Sequence, residues 1–171
     1  NNSLKAKIMK KMYLLMLSVI VLSCSKNDDF TSNSTYFSSS MNFTVVNNLG
    51  DDLLNSDTPN HIDFNAITLT YVIDGEEVGY YRSNLDAPRG VRLIDEGDGL
   101  NRLNVFLNPE KENANNITYV NWGDGTRDKI ESFLFNKRST TYITKIWVND
   151  ELYWELLPSG DGNTPIKAII K

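Results

Sequence analysis

An antiparallel β-sandwich is the architecture this sequence predicts, and three observations carry the prediction. Between Met41 and Lys171, apolar and polar residues alternate in about ten short runs, the period of half-buried strands. Clusters of Gly, Asn, Asp and Pro separate the runs at spacings of roughly 8–12 residues, as in all-β sandwiches. No stretch there carries the 3.6-residue apolar period of a stable helix.

In chain order, Met41, Phe43 and Val45 alternate with Asn42 and Thr44, and Asn47 to Asp52 supplies a turn before a long loop through Asn60. Ile67, Leu69, Tyr71 and Ile73 form the next run, closed by Asp74-Gly75. That dipeptide is a strong hairpin signal because both residues tolerate positive φ. Val78, Tyr80 and Arg82 then share a face with Leu69 and Tyr71, in a two- or a four-residue loop alike. Val91 to Ile94 is a short strand, and Leu103, Val105 and Leu107 make another, ended by Asn108-Pro109. Glu110 to Asn116 is polar and allows one helical turn; Ile117 to Trp122 returns to alternation and turns at Gly123 to Thr126 into Asp128 to Phe135.

The last hairpin pairs Tyr142 to Val148 with Glu151 to Leu157 across Asn149-Asp150. A two-residue loop sets Trp147 opposite Leu152 and Ile143 opposite Leu156, with Trp154 on the same face and Lys145 its only charge. Pro165 to Ile170 reads as a closing strand. Strand number and spacing fit an immunoglobulin-like or transthyretin-like sandwich, with a closed barrel as the alternative. The chain has no internal repeat.

Residues 1–23 have the form of a secretory leader. Lys5, Lys7, Lys10 and Lys11 are a basic n-region, and Met12 to Leu22 is an apolar run broken only by Ser18. That run is too short for the roughly 20 residues a membrane-spanning helix needs. Residues 1–8 read as an upstream extension, with Met9 as an alternative start that leaves the same mature chain. Val21-Leu22-Ser23-Cys24 resembles a bacterial lipobox, and Ser25 to Asp29 resembles the tether of Bacteroidota surface lipoproteins. The resemblance implies that Cys24 becomes the acylated N-terminus and holds the chain at the cell envelope, on the outer membrane. Residues 24–40, rich in Ser, Thr and Asn, read as a flexible tether, and residues 41–171 as the folded domain. Gly50-Asp51-Asp52-Leu53-Leu54-Asn55 after a first strand also resembles the opening of uncharacterised Bacteroidota lipoprotein domains, a likeness that brings no activity with it.

Charge narrows the partners. Four of the 17 basic residues and none of the 22 acids precede Cys24, so the mature chain has a net charge of −9. Such a surface argues against nucleic acid, whose affinity rests on Lys and Arg neutralising phosphates. With its single cysteine assigned to the anchor, the domain is left with no disulfide and no thiolate site.

Catalytic signals are sparse. His61 is the only histidine, in a loop where it reads as incidental, and no Gly-x-Ser-x-Gly, His-Glu-x-x-His or phosphate-cradling motif occurs. An acid-residue hydrolase acting on glycans stays open as an alternative, because two carboxylates can meet in space without a sequence signature. Asp51-Asp52 with Asp57, Asp95-Glu96 with Asp98, and Asp124 with Asp128 are oxygen-rich loops in which calcium is the cofactor to consider. None has EF-hand spacing, and Asp and Gly are also what tight turns use. Trp122-Gly123-Asp124-Gly125-Thr126 resembles the turn of polycystic-kidney-disease-type sandwich modules.

Of the aromatic residues, Trp147 and Trp154 fall on a core face, whereas Tyr81 and Tyr153 fall opposite the core faces and are the candidate ligand contacts. The leading expectation is therefore a lipid-anchored, non-catalytic binding or scaffold module for a glycan or a protein.

Overall fold

Alternating side chains fold into strands with turns at the Gly, Asn and Asp clusters, and a Ser-rich segment joins them. The computed structural model describes residues 36–97, 99–156 and 168–171. The leader, Cys24, the tether up to Thr35, Asp98 and the start of the closing strand at Pro165 to Lys167 lie outside the described residues.

Among the described residues the strands are β1 (Tyr36–Ser38), β2 (Ser40–Phe43), β3 (Val45–Val46), β4 (Thr68–Ile73), β5 (Glu76–Tyr80) and β6 (Val91–Ile94). They continue as β7 (Arg102–Phe106), β8 (Ala114–Asn121), β9 (Arg127–Lys137), β10 (Thr140–Val148), β11 (Glu151–Glu155) and β12 (Ile169–Ile170). The fold is all-β; among the described residues the one helical element is a 3₁₀ turn over Phe64–Ala66, capped by the Asp63 carboxylate, which accepts from the Asn65 N–H at 2.8 Å. No helix among the described residues is long and apolar enough to cross a membrane.

The large sheet runs β1-β10-β9-β8-β4-β5, with β11 also paired to β10, and it curls like half a barrel. A three-stranded sheet runs β2-β7-β6, and β12 pairs with β3. The sheets are mixed, because β1 lies parallel to β10 and β12 parallel to β3. This corrects the expectation of wholly antiparallel pairing. Those parallel partners are distant in sequence, and local alternation carries no sign of them. Tyr36 to Ser38 and Ser40, within the stretch read as tether, lie in β1 and β2, since backbone pairing along β10 and β7 needs no apolar side chains.

The Asp74-Gly75 hairpin forms as expected, with φ of 50° and 88° and Tyr71 opposite Val78. Glu110 to Asn116 makes no helical turn. The buried Asn116 amide both accepts from the Lys111 N–H and donates to the Lys111 carbonyl, which pins a loop, and β8 starts at Ala114. Leu53 and Leu54, read as loop, are buried core residues.

Phe43, Leu69, Leu103, Leu107, Ile130 and Leu134 are fully buried side chains drawn from both sheets, so the core lies between them. Every buried side-chain nitrogen or oxygen among the described residues has a hydrogen-bond partner. The turn from Trp122 to Asp128 is held unusually well. Asp124 accepts from both the backbone and the hydroxyl of Thr126, at 2.8 and 2.7 Å. Gly123, at φ 86°, approaches Ala66 so closely that any Cβ would overlap it. Buried Asp128 accepts from the Trp122 indole at 2.9 Å and the Asn149 amide at 2.9 Å, and pairs with Lys171 at 2.6 Å.

Candidate functional site

Strand β5 is an edge of the large sheet, so the core face runs out along it. Tyr71 on β4 is still buried, Tyr80 on β5 is half-buried, and Val78 and Ile73 are exposed. The rings of Tyr71 and Tyr80 stack 4.8 Å apart, tilted by 39°. The Tyr71 hydroxyl donates to the Phe106 carbonyl at 2.7 Å, which fixes the backing ring. Burial raises the Tyr71 phenol well above its ordinary range; Tyr80 adds to the shift, and the charge of Arg82 opposes it.

The loop from Tyr81 to Gly90 folds back beside this pair. The Arg82 N–H donates to the Pro88 carbonyl at 2.8 Å, and the Phe106 N–H donates to the Gly90 carbonyl at 2.8 Å. Gly90, at φ 75°, sits where a Cβ would come within 2.7 Å of Leu69 and 2.9 Å of the Tyr80 ring. Glycine there lets the loop close against Tyr80 without displacing it.

Tyr80 consequently stands between two concavities. One, of about 250 Å³, is walled by Tyr71, Val78, Arg82, Asn108 and Glu110 as well as Tyr80. The other, of about 190 Å³, is walled by Leu85, Asp86, Arg92 and Phe106 with Tyr80. The Arg82 guanidinium lies 5.8 Å from the Tyr80 ring centre.

Of the two tyrosines expected to contact a ligand, Tyr81 is 63% exposed, yet it lines neither concavity. Tyr153 is 6% exposed, which corrects its placement on an open face. The reason is a bulge: Ile146 pairs with Trp154 and Trp147 with Leu152, leaving Tyr153 as the extra residue. Tyr153 and Trp154 both turn into the core, and Tyr153 packs on Phe43 with ring centres 5.2 Å apart. Burial pushes the Tyr153 phenol up to about 12. A second irregularity between Ile143 and Lys145 puts Ile146 inward, so Trp147, expected in the core, is only half-buried beside exposed Leu152. Tyr80 shares a face with Leu69 and Tyr71, which suggested core, and only the edge position of β5 leaves it half-buried.

The acidic loops use their oxygens locally. Asp52 accepts from the backbone of Leu54 and of Asn101, Asp95 accepts from Gly97, and Glu96 pairs with Arg102. No group of three or more His, Cys, Asp or Glu residues placed to hold a metal ion occurs among the described residues. His61 is exposed, with Nδ1 3.3 Å from the Thr58 carbonyl. It borders a polar groove of about 420 Å³ that also contains Asp63 and Asp95. Both carboxylates there are turned to neighbouring backbone N–H groups.

No protein family, curated protein or solved structure matches this chain.

Proposed function

We propose that this protein is a lipid-anchored, extracytoplasmic recognition module, a non-catalytic sandwich of immunoglobulin-like or transthyretin-like type that binds a glycan at Tyr80. The leader, the lipobox-like Val21 to Cys24 and the polar tether support the anchor. The observation that carries the binding reading is the Tyr80 ring, backed by Tyr71 and flanked by a concavity on each side. A fixed aromatic ring offers an apolar face to the C–H face of a sugar, and the few polar side chains on the walls take its hydroxyls. Because Tyr71 holds the ring in place, little side-chain freedom is lost on binding.

The binding test is a glycan array probed with the purified full chain, with and without calcium. Reproducible binding that falls about tenfold or more in Tyr80→Ala, at an unchanged circular dichroism spectrum, is the expected result; a blank array overturns the reading. Metal-dependent binding would return attention to the acidic loops. The anchor has its own test. Cys24→Ser is expected to abolish labelling by radioactive palmitate and to move the chain from the membrane to the soluble fraction. Unchanged labelling would sink the lipobox assignment.

A further inference from the structure

We infer that the Tyr80 site selects an acidic saccharide, one containing uronic acid residues, over a neutral one; the inference rests on the glycan reading above. It comes from which cations lack carboxylate partners. Arg102, Lys111, Arg127, Lys129, Lys145 and Lys171 all sit in ion pairs, and Arg89 donates to the carbonyls of Phe64, Asn65 and Ile67. Among the described residues, Arg82 and Arg92 have no carboxylate partner. They line the two concavities, one on each side of Tyr80. The other two described cations without an ion pair are Lys137, the last residue of β9, and Arg138, in the turn that follows it.

A mature chain of net charge −9 has carboxylates to spare, so two guanidiniums left without one at the same aromatic ring are a specific arrangement. A guanidinium presents a planar fork that matches a carboxylate in two parallel hydrogen bonds. Both exposed arginines remain solvated until a ligand arrives, which keeps the cost of holding them unpaired small. The walls also carry acceptors. Glu110 already binds the Asp74 N–H and Lys111, whereas Asp86 has no hydrogen bond or ion pair among the described residues and is open to a sugar hydroxyl.

An aromatic face, two guanidiniums and a carboxylate acceptor match a ligand with an apolar ring face, a carboxylate and hydroxyl groups. A uronate unites these three. An acidic peptide side chain would bring its carboxylate without the neighbouring ring hydroxyls that Asp86 can accept from. Each concavity is smaller than the roughly 300–1,000 Å³ of a site for a drug-sized ligand, which suits one sugar ring on each side of Tyr80. Elsewhere the acidic surface repels a polyanion, which confines binding to this patch.

The experiment is calorimetric titration of the purified full chain with short oligogalacturonate and oligomannuronate, and with the carboxyl-reduced counterpart of each. At least one uronate is expected to bind, with its reduced counterpart about tenfold weaker or more. Arg82→Gln and Arg92→Gln are each expected to lose about tenfold toward the uronate with little change toward the reduced sugar. Equal binding of an acidic sugar and its reduced form, or binding of neutral glycans alone, overturns acid selection and leaves the glycan reading standing. Acid-selective binding unmoved by both substitutions overturns the assignment to this site. Failure of every glycan, the array included, overturns both readings.

Discussion

Phe43→Ala is expected to lower the unfolding free energy by about 3–5 kcal/mol, measured as a fall in the urea midpoint at unchanged m-value. Phe43 is fully buried on β2 of the three-stranded sheet, and its ring meets Tyr153 of the large sheet at 5.2 Å. Truncation removes a buried aromatic contact and leaves a cavity between two layers that come from different parts of the chain. Backbone pairing holds both walls of that cavity, so it cannot collapse fully. A loss below about 1 kcal/mol would mean that the layers do not pack through this ring. Tyr153→Phe is the control, because it keeps the ring stack.

Asp128→Ala is expected to cost about 2–4 kcal/mol in the same measurement. The carboxylate is 6% exposed and serves the Trp122 indole, the Asn149 amide and Lys171 together. Its removal leaves the buried Trp122 indole without an acceptor and takes a partner from the Asn149 amide, and that desolvation penalty outweighs the loss of a partly solvated ion pair. Asp128→Asn retains an acceptor and is expected to lose distinctly less. Equal losses in the two variants would mean that charge pairing with Lys171, rather than acceptance from Trp122, dominates.

What was legible in the sequence follows the range of the forces involved. Asp74-Gly75 and Asn149-Asp150 declare their hairpins because the local backbone needs positive φ at both residues, and both hairpins form. The facing of β4 likewise follows from alternation, with Leu69 and Tyr71 inward. Beyond Ile143 the alternation fails. Two bulges each insert one residue, and every side chain after a bulge changes face. No local signal marked Thr144 or Tyr153 as the extra residue, so Tyr153 and Trp147 were placed on the wrong sides. Tyr80 illustrates the opposite problem. Its face was read correctly, but its exposure depends on β5 having no further strand beside it, a property of topology rather than of sequence. Arg82 and Arg92 stand out only after all the ion pairs around them have been located in space.

The parallel pairs have a consequence for the order of events during folding. β1 needs β10 and β3 needs β12, so the first segments of the domain find their partners only near the end of the chain. Such closures between distant segments are slow, since their chain entropy is lost before any contact forms. Synthesis proceeds from the N-terminus, so β1 and β3 lack their partners until β10 and then β12 emerge. Delay of that kind keeps the chain loosely folded through most of its synthesis, and it postpones locking of the fold until β12 is available to β3.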